Sequence, residues 1–222
     1  MDIIRRAQGQ NQTGFTLLEL LVTCAILVIM FGLLAIIFGR VSTVRQAIVN
    51  SGNAENLAVY LTNTILYGPT VDEVGYGLMN AKADGIISVN DTTTVDSEVI
   101  FKVLDATGTE REVKFDFTPA SPVPSNTLTG KWDVIDTGAE KDLRPSWAQE
   151  KGLEIYYDIG SGSPYTSGFW CYQKDRSTLA TSASDIAWVA IRVTVKSQGQ
   201  APENGVSVWR WVWLKNQQKA LF

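Results

Sequence analysis

The chain has 222 residues, with 19 Lys and Arg against 23 Asp and Glu, a formal net charge of −4, and no histidine. Without histidine, Ser–His and Cys–His catalysis and ordinary zinc sites are excluded, and only carboxylate, lysine or tyrosine chemistry remains for an enzyme. A mildly acidic chain with no lysine- or arginine-rich stretch gives no electrostatic footprint for nucleic acid. The two cysteines, Cys24 and Cys171, cannot make a disulfide scaffold.

The first 14 residues, MDIIRRAQGQNQTG, are polar and carry Arg5 and Arg6. Residues 15–38 then read FTLLELLVTCAILVIMFGLLAIIF. Their uncharged part, 20–38, is 19 residues, or ~28 Å as a helix at ~1.5 Å per residue, against a hydrocarbon core of ~30 Å. A secretory signal peptide has a shorter apolar core followed by a small-residue cleavage site. This run is too long and has no such site, so it is expected to stay as an anchor, with Cys24 as a small apolar residue. Arg5 and Arg6, offset by Asp2, balance Arg40 and Arg45 on the other flank, so charge leaves the orientation open. Glu19 breaks the apolar pattern. A carboxylate in a membrane helix costs ~2.5–3.5 kcal/mol near the centre and less near an end. It is either a boundary residue reaching for water or a functional one.

The string Gly14-Phe15-Thr16-Leu17-Leu18-Glu19-Leu20, set between that leader and that apolar run, resembles the prepilin signal of type IV pilins and type II secretion pseudopilins. The resemblance covers residues 14–38. It implies cleavage between Gly14 and Phe15 by a prepilin peptidase, N-methylation of Phe15, and an assembly role for Glu19 as fifth residue of the mature chain. It also implies a single-pass protein of the inner membrane with its C-terminal part outside the cytoplasm. Its implied partners are other pilin or pseudopilin subunits, an inner-membrane assembly platform and the lipid bilayer; no cofactor is implied. A leader of 14 residues is longer than most in the family. The terminal strand pair and the large domain without disulfides look most like a minor subunit, either a J-type pseudopilin or a minor pilin. Glu19 itself speaks against the K-type tip subunit, which lacks that glutamate.

Beyond the span, Val41, Val44, Ile48, Ala54, Ala58, Leu61 and Ile65 keep to three- and four-residue steps, which predicts a continuing amphipathic helix. Tyr67-Gly68-Pro69 stops it. One helix over about 15–66 is expected, with Gly32 and Gly39 as weak points and a separate juxtamembrane helix as the alternative. The remainder reads as strands: a hairpin of 98–104 and 110–117, candidates at 153–159 and 169–172, and a hairpin of 188–196 and 206–214. Residues 118–150, with Pro119, Pro122, Pro124 and Pro145, read as a long loop or an insertion. The expected fold is α+β, a long N-terminal helix packed on an antiparallel sheet. Its parts are a leader (1–14), a membrane half (15–39), an amphipathic half (40–67) and a globular domain (68–222).

Two features of the domain stay open. Trp209, Trp211 and Trp213 share one face of the last strand, with Val206, Val208, Val212 and Leu214 mostly on the other. Such a strand is either central and covered on both sides, or the Trp face is a contact surface. Asp91, Asp96 and Glu98 suggest calcium, yet they lack the spacing and glycine of a recognised loop and fit a solvated turn better. Structural fibre subunit is thus the leading function. The alternative is a membrane-anchored or fibre-displayed binding module, an adhesin or uptake receptor. A tethered enzyme is disfavoured by the missing nucleophile, base and metal motifs.

Overall fold

The computed structural model describes residues 16–82, 86–89, 96–118, 127–132, 140–158 and 163–214. A single helix, α1 (Leu17–Tyr67), opens the chain. It spans the division between two contact-defined units, residues 1–48 and 49–222. In the first unit every described residue is exposed, including Val41, Val44 and Ile48, which the periodicity had placed on a packed face. In the second unit burial begins at Ala54 and continues through Leu57, Ala58, Leu61, Thr62, Ile65 and Leu66. These positions step by three and four residues, one stripe of the helix.

Gly68 ends α1. Its φ is 63°, in the left-handed region that spares glycine the Cβ clash, and its N–H donates to Thr64 C=O at 2.8 Å. A two-strand turn follows, β1 (Thr70–Val71) with β2 (Val74–Gly75). It returns Gly77 against the helix end, where an added Cβ would lie 2.3 Å from Leu66 C=O.

A five-stranded antiparallel sheet runs in chain order: β3 (Ile86–Val89), β4 (Glu98–Leu104), β5 (Glu110–Asp116), β6 (Thr129–Trp132) and β7 (Lys141–Asp142). Val99, Phe101 and Val103 of β4 alternate inward, opposite Phe115, Val113 and Arg111 of β5. The inward rings pack together, Phe101 to Phe115 at 6.0 Å and Phe115 to Trp132 at 5.6 Å. Residues 118–150 are therefore not simply a loop. They contribute β6, β7 and the short helix α2 (Ser146–Glu150), with Pro145 at its N-cap, where the missing N–H costs nothing.

The second sheet has β10 (Trp188–Ser197) at its centre. On one side lies β11 (Val206–Trp213); on the other, β9 (Gly168–Tyr172) and β8 (Leu153–Ile155) share the edge. Residues 189–195 of β10 are all buried. The strand covered on both faces is thus β10. The last strand, β11, is an end strand among the described residues, and its tryptophan face lies outside the core. The inward residues of both sheets, with the buried stripe of α1, form one apolar cluster. A long helix with antiparallel sheets is the α+β class expected from the sequence.

Candidate functional site

The head of α1 is built by a local rule. Thr16 precedes the helix and Glu19 is its third residue, the Thr-x-x-Glu spacing of a capping box. Thr16 Oγ1 accepts from Glu19 N–H at 3.2 Å, and Glu19 Oε2 accepts from Thr16 N–H at 2.9 Å and from Thr16 Oγ1 at 3.0 Å. One carboxylate oxygen, Oε2, takes both bonds. The sequence had singled out Glu19 for its charge and missed Thr16, although the spacing was there to read. Gly14 and Phe15 lie outside the described residues. Downstream of Glu19, α1 is long and apolar enough to cross a bilayer, with none of that window buried within the protein.

A second constellation lies on the outer face of the β9–β10–β11 sheet. The register aligns Tyr172, Trp188 and Trp213 in one row, Trp170, Ala190 and Trp211 in the next, and Gly168, Arg192 and Trp209 in a third. Ala190 is fully buried, and its small side chain lets Tyr172 reach diagonally to Trp211, with ring centroids 5.1 Å apart. Trp170 meets Trp209 at 4.9 Å in the same way, and Trp188 meets Trp213 edge-on at 4.5 Å. Two guanidinium groups intercalate. Arg192 lies 4.8 Å from the Trp170 ring and 4.7 Å from Trp209; Arg176, from the turn after β9, lies 4.9 Å from Trp188 and 4.4 Å from Trp211.

Arg192 is only 7% exposed, and it donates to the Thr166 and Pro164 carbonyls. Burial lowers its pKa, but an arginine starts so high that it remains charged. Trp188 Nε1 is a buried donor with no acceptor among the described residues. Exposure concentrates at the sheet's end: Trp209 is 41% and Trp211 38% exposed, while Trp213 is half-buried. Trp170, Tyr172, Trp188, Arg176 and Arg192 had not been singled out, because cross-strand register brings them together and no spacing in the chain reports it.

The remaining candidates resolve more plainly. Glu98 pairs with Lys114 at 2.7 Å and Asp96 is buried, so neither lies in a solvated turn; Asp91 is outside the described residues. Burial alone would lower the Lys114 pKa. The hydrogen bonds that the ammonium donates to Glu140, Glu98 and Asp116 outweigh it and hold the pKa well above its usual range. Among the described residues no group of three or more acidic or cysteine side chains is placed to hold a metal. Both cysteines are free, and burial keeps the Cys171 thiol protonated by pushing its pKa up.

A family model described as the prokaryotic N-terminal methylation motif matches residues 9–35. No curated protein and no solved structure gives a significant match to the chain. The motif supports a type IV pilin-like subunit of pilus or pseudopilus assembly, and with the apolar head of α1 it suggests membrane anchoring.

Proposed function

We propose that the protein is a prepilin-like subunit of a type IV pilus-like fibre, either a type II secretion pseudopilus or a pilus, and a minor one. Prepilin peptidase removes residues 1–14, Phe15 becomes the methylated N-terminus, and residues 15–39 anchor the subunit in the inner membrane. The helix continues as residues 40–67 to the domain, 68–222, outside the cytoplasm. Assembly proceeds through the inner-membrane platform against other pilin or pseudopilin subunits.

One observation carries this reading. The methylation motif at residues 9–35 coincides with a helix whose only early charge is Glu19 and whose next 19 residues are uncharged. In a chain starting at Phe15, the α-amino group of an incoming subunit meets the Glu19 carboxylate of the subunit already in place. Both charges sit at the edge of an apolar layer, where an unpaired charge is costly, so pairing also sets the axial register. Among the described residues the hydrogen bonds to the Glu19 carboxylate go to Oε2, which leaves Oε1 for the pairing.

The test is recovery of the chain in fibres sheared from cells with and without an active prepilin peptidase. Recovery that depends on the peptidase is expected; absence from fibres in both strains would contradict the proposal. The half-exposed Trp209 and Trp211 favour a second reading, a binding module displayed on the same fibre.

A further inference from the structure

The tryptophans that face outward from β11 also carry its unpaired backbone. Thr194 N–H donates to Ser167 Oγ at 2.9 Å, and Thr194 C=O accepts from Tyr156 N–H at 2.8 Å. Even-numbered residues of β10 thus direct their backbone groups toward β8 and β9. Odd-numbered ones face β11, where Val189, Ile191, Val193 and Val195 pair with Val212, Arg210, Val208 and Val206. The N–H and C=O groups of Ser207, Trp209, Trp211 and Trp213 therefore point off the end of the sheet. Among the described residues only one of them is engaged: Trp209 C=O accepts from Arg210 Nη1 at 3.0 Å.

Natural sheets blunt a free edge with proline, a bulge, a short strand or charged side chains, and Arg210 is the one charge on β11. This edge is eight residues long, has no proline, and keeps an unbroken register with β10.

Charge is distributed unevenly between the sheets. On the five-stranded sheet and its turns, Lys102, Arg111, Lys114 and Arg144 each have a carboxylate at 2.7–2.9 Å, as Lys196 on β10 does at 3.1 Å. Arg176, Arg192 and Arg210 have none among the described residues, and Arg210 is exposed on the edge strand itself.

We propose that the outer edge of β11 is a strand-addition site for an acidic extended segment of another polypeptide. The segment alternates β-branched side chains, which pack on Trp209 and Trp211, with carboxylates on the opposite face, one of them beside Arg210. Alternate residues of the segment turn their N–H and C=O groups to the outward groups of Ser207, Trp209, Trp211 and Trp213. The ring faces inside the tryptophan layer are already filled by Arg176 and Arg192, so the free positions lie along the edge and not on top of the layer.

The test uses the full chain in detergent micelles, a capped ten-residue peptide alternating threonine with glutamate, and its threonine–lysine counterpart. Residue-resolved hydrogen exchange gives the readout. Without peptide, the Ser207, Trp209 and Trp211 amides exchange fast while those of Val208, Arg210 and Val212 are slow. The glutamate peptide slows the first set. Arg210→Glu, an exposed change, leaves the slow set intact, weakens the glutamate peptide by roughly 2- to 30-fold and strengthens the lysine peptide. Four results would overturn the proposal: equal binding of both peptides, binding without slowing of the outward amides, no binding, or outward amides already slow without peptide. The last would mean that the edge is filled by the chain itself or by a second copy.

Discussion

Under the proposed function, two demands fall on the carboxylate of Glu19. As a capping residue it needs only an acceptor oxygen; as an assembly residue it needs a charge. Glu19→Gln separates them, because an amide oxygen still accepts from Thr16 while the charge is gone. Loss of one partner of a desolvated ion pair costs ~3–5 kcal/mol, whereas loss of a cap costs ~0.5–2 kcal/mol. Glu19→Gln and Glu19→Ala should therefore both be inserted and cleaved, yet both be poorly recovered in fibres. Thr16→Ala should fray the first turn and still be incorporated. Recovery of Glu19→Gln at the wild-type level would reduce the carboxylate to a cap at the membrane boundary. At this scale the sequence was informative where a residue contradicts its surroundings, as Glu19 does in an apolar run. It was silent on Arg176 and Arg192, whose surroundings are ordinary until three strands are in register.

At the scale of elements, strong local signals located the long helix and both hairpins, and weak ones misled. The stop at Tyr67-Gly68-Pro69 was legible because glycine and proline act on the backbone itself. Gly77 was not, since its constraint comes from the returning turn: an added Cβ would meet Leu66 C=O at 2.3 Å and Tyr67 C at 2.3 Å. These contacts are backbone atoms of the helix end and cannot swing aside. Gly77→Ala should destabilise the domain by about 1–3 kcal/mol in denaturant unfolding, as overpacking does. An unchanged midpoint would mean that the turn is free to move off the helix. The four-residue β6 and two-residue β7 escaped notice because strands that short carry too few side chains to show alternation, and nearby prolines suggested a loop. The doubly apolar β11 was ambiguous for a different reason. Periodicity reports which residues share a face, but not whether another layer covers that face. The structure places β10 at the centre and β11 at the end, with its tryptophans half-exposed.

For the whole molecule, the decisive information lies in the first 38 residues and the fold in the rest. The methylation motif and the apolar half of α1 support the type IV pilin-like class, while the two sheets and the buried stripe of α1 define a domain with its own core. The exposure of residues 17–48 leaves an apolar surface that, under the proposed function, lipid and then neighbouring subunits cover. A helix of that length with no buried residue would be a liability in water. The central claim is that this segment begins, in the working protein, at Phe15. Mass spectrometry of the N-terminal peptide from the membrane fraction tests it most directly. The account predicts a peptide starting at Phe15 and carrying one methyl group on its α-amine. A peptide starting at Met1, or one starting beyond Phe38, would contradict it.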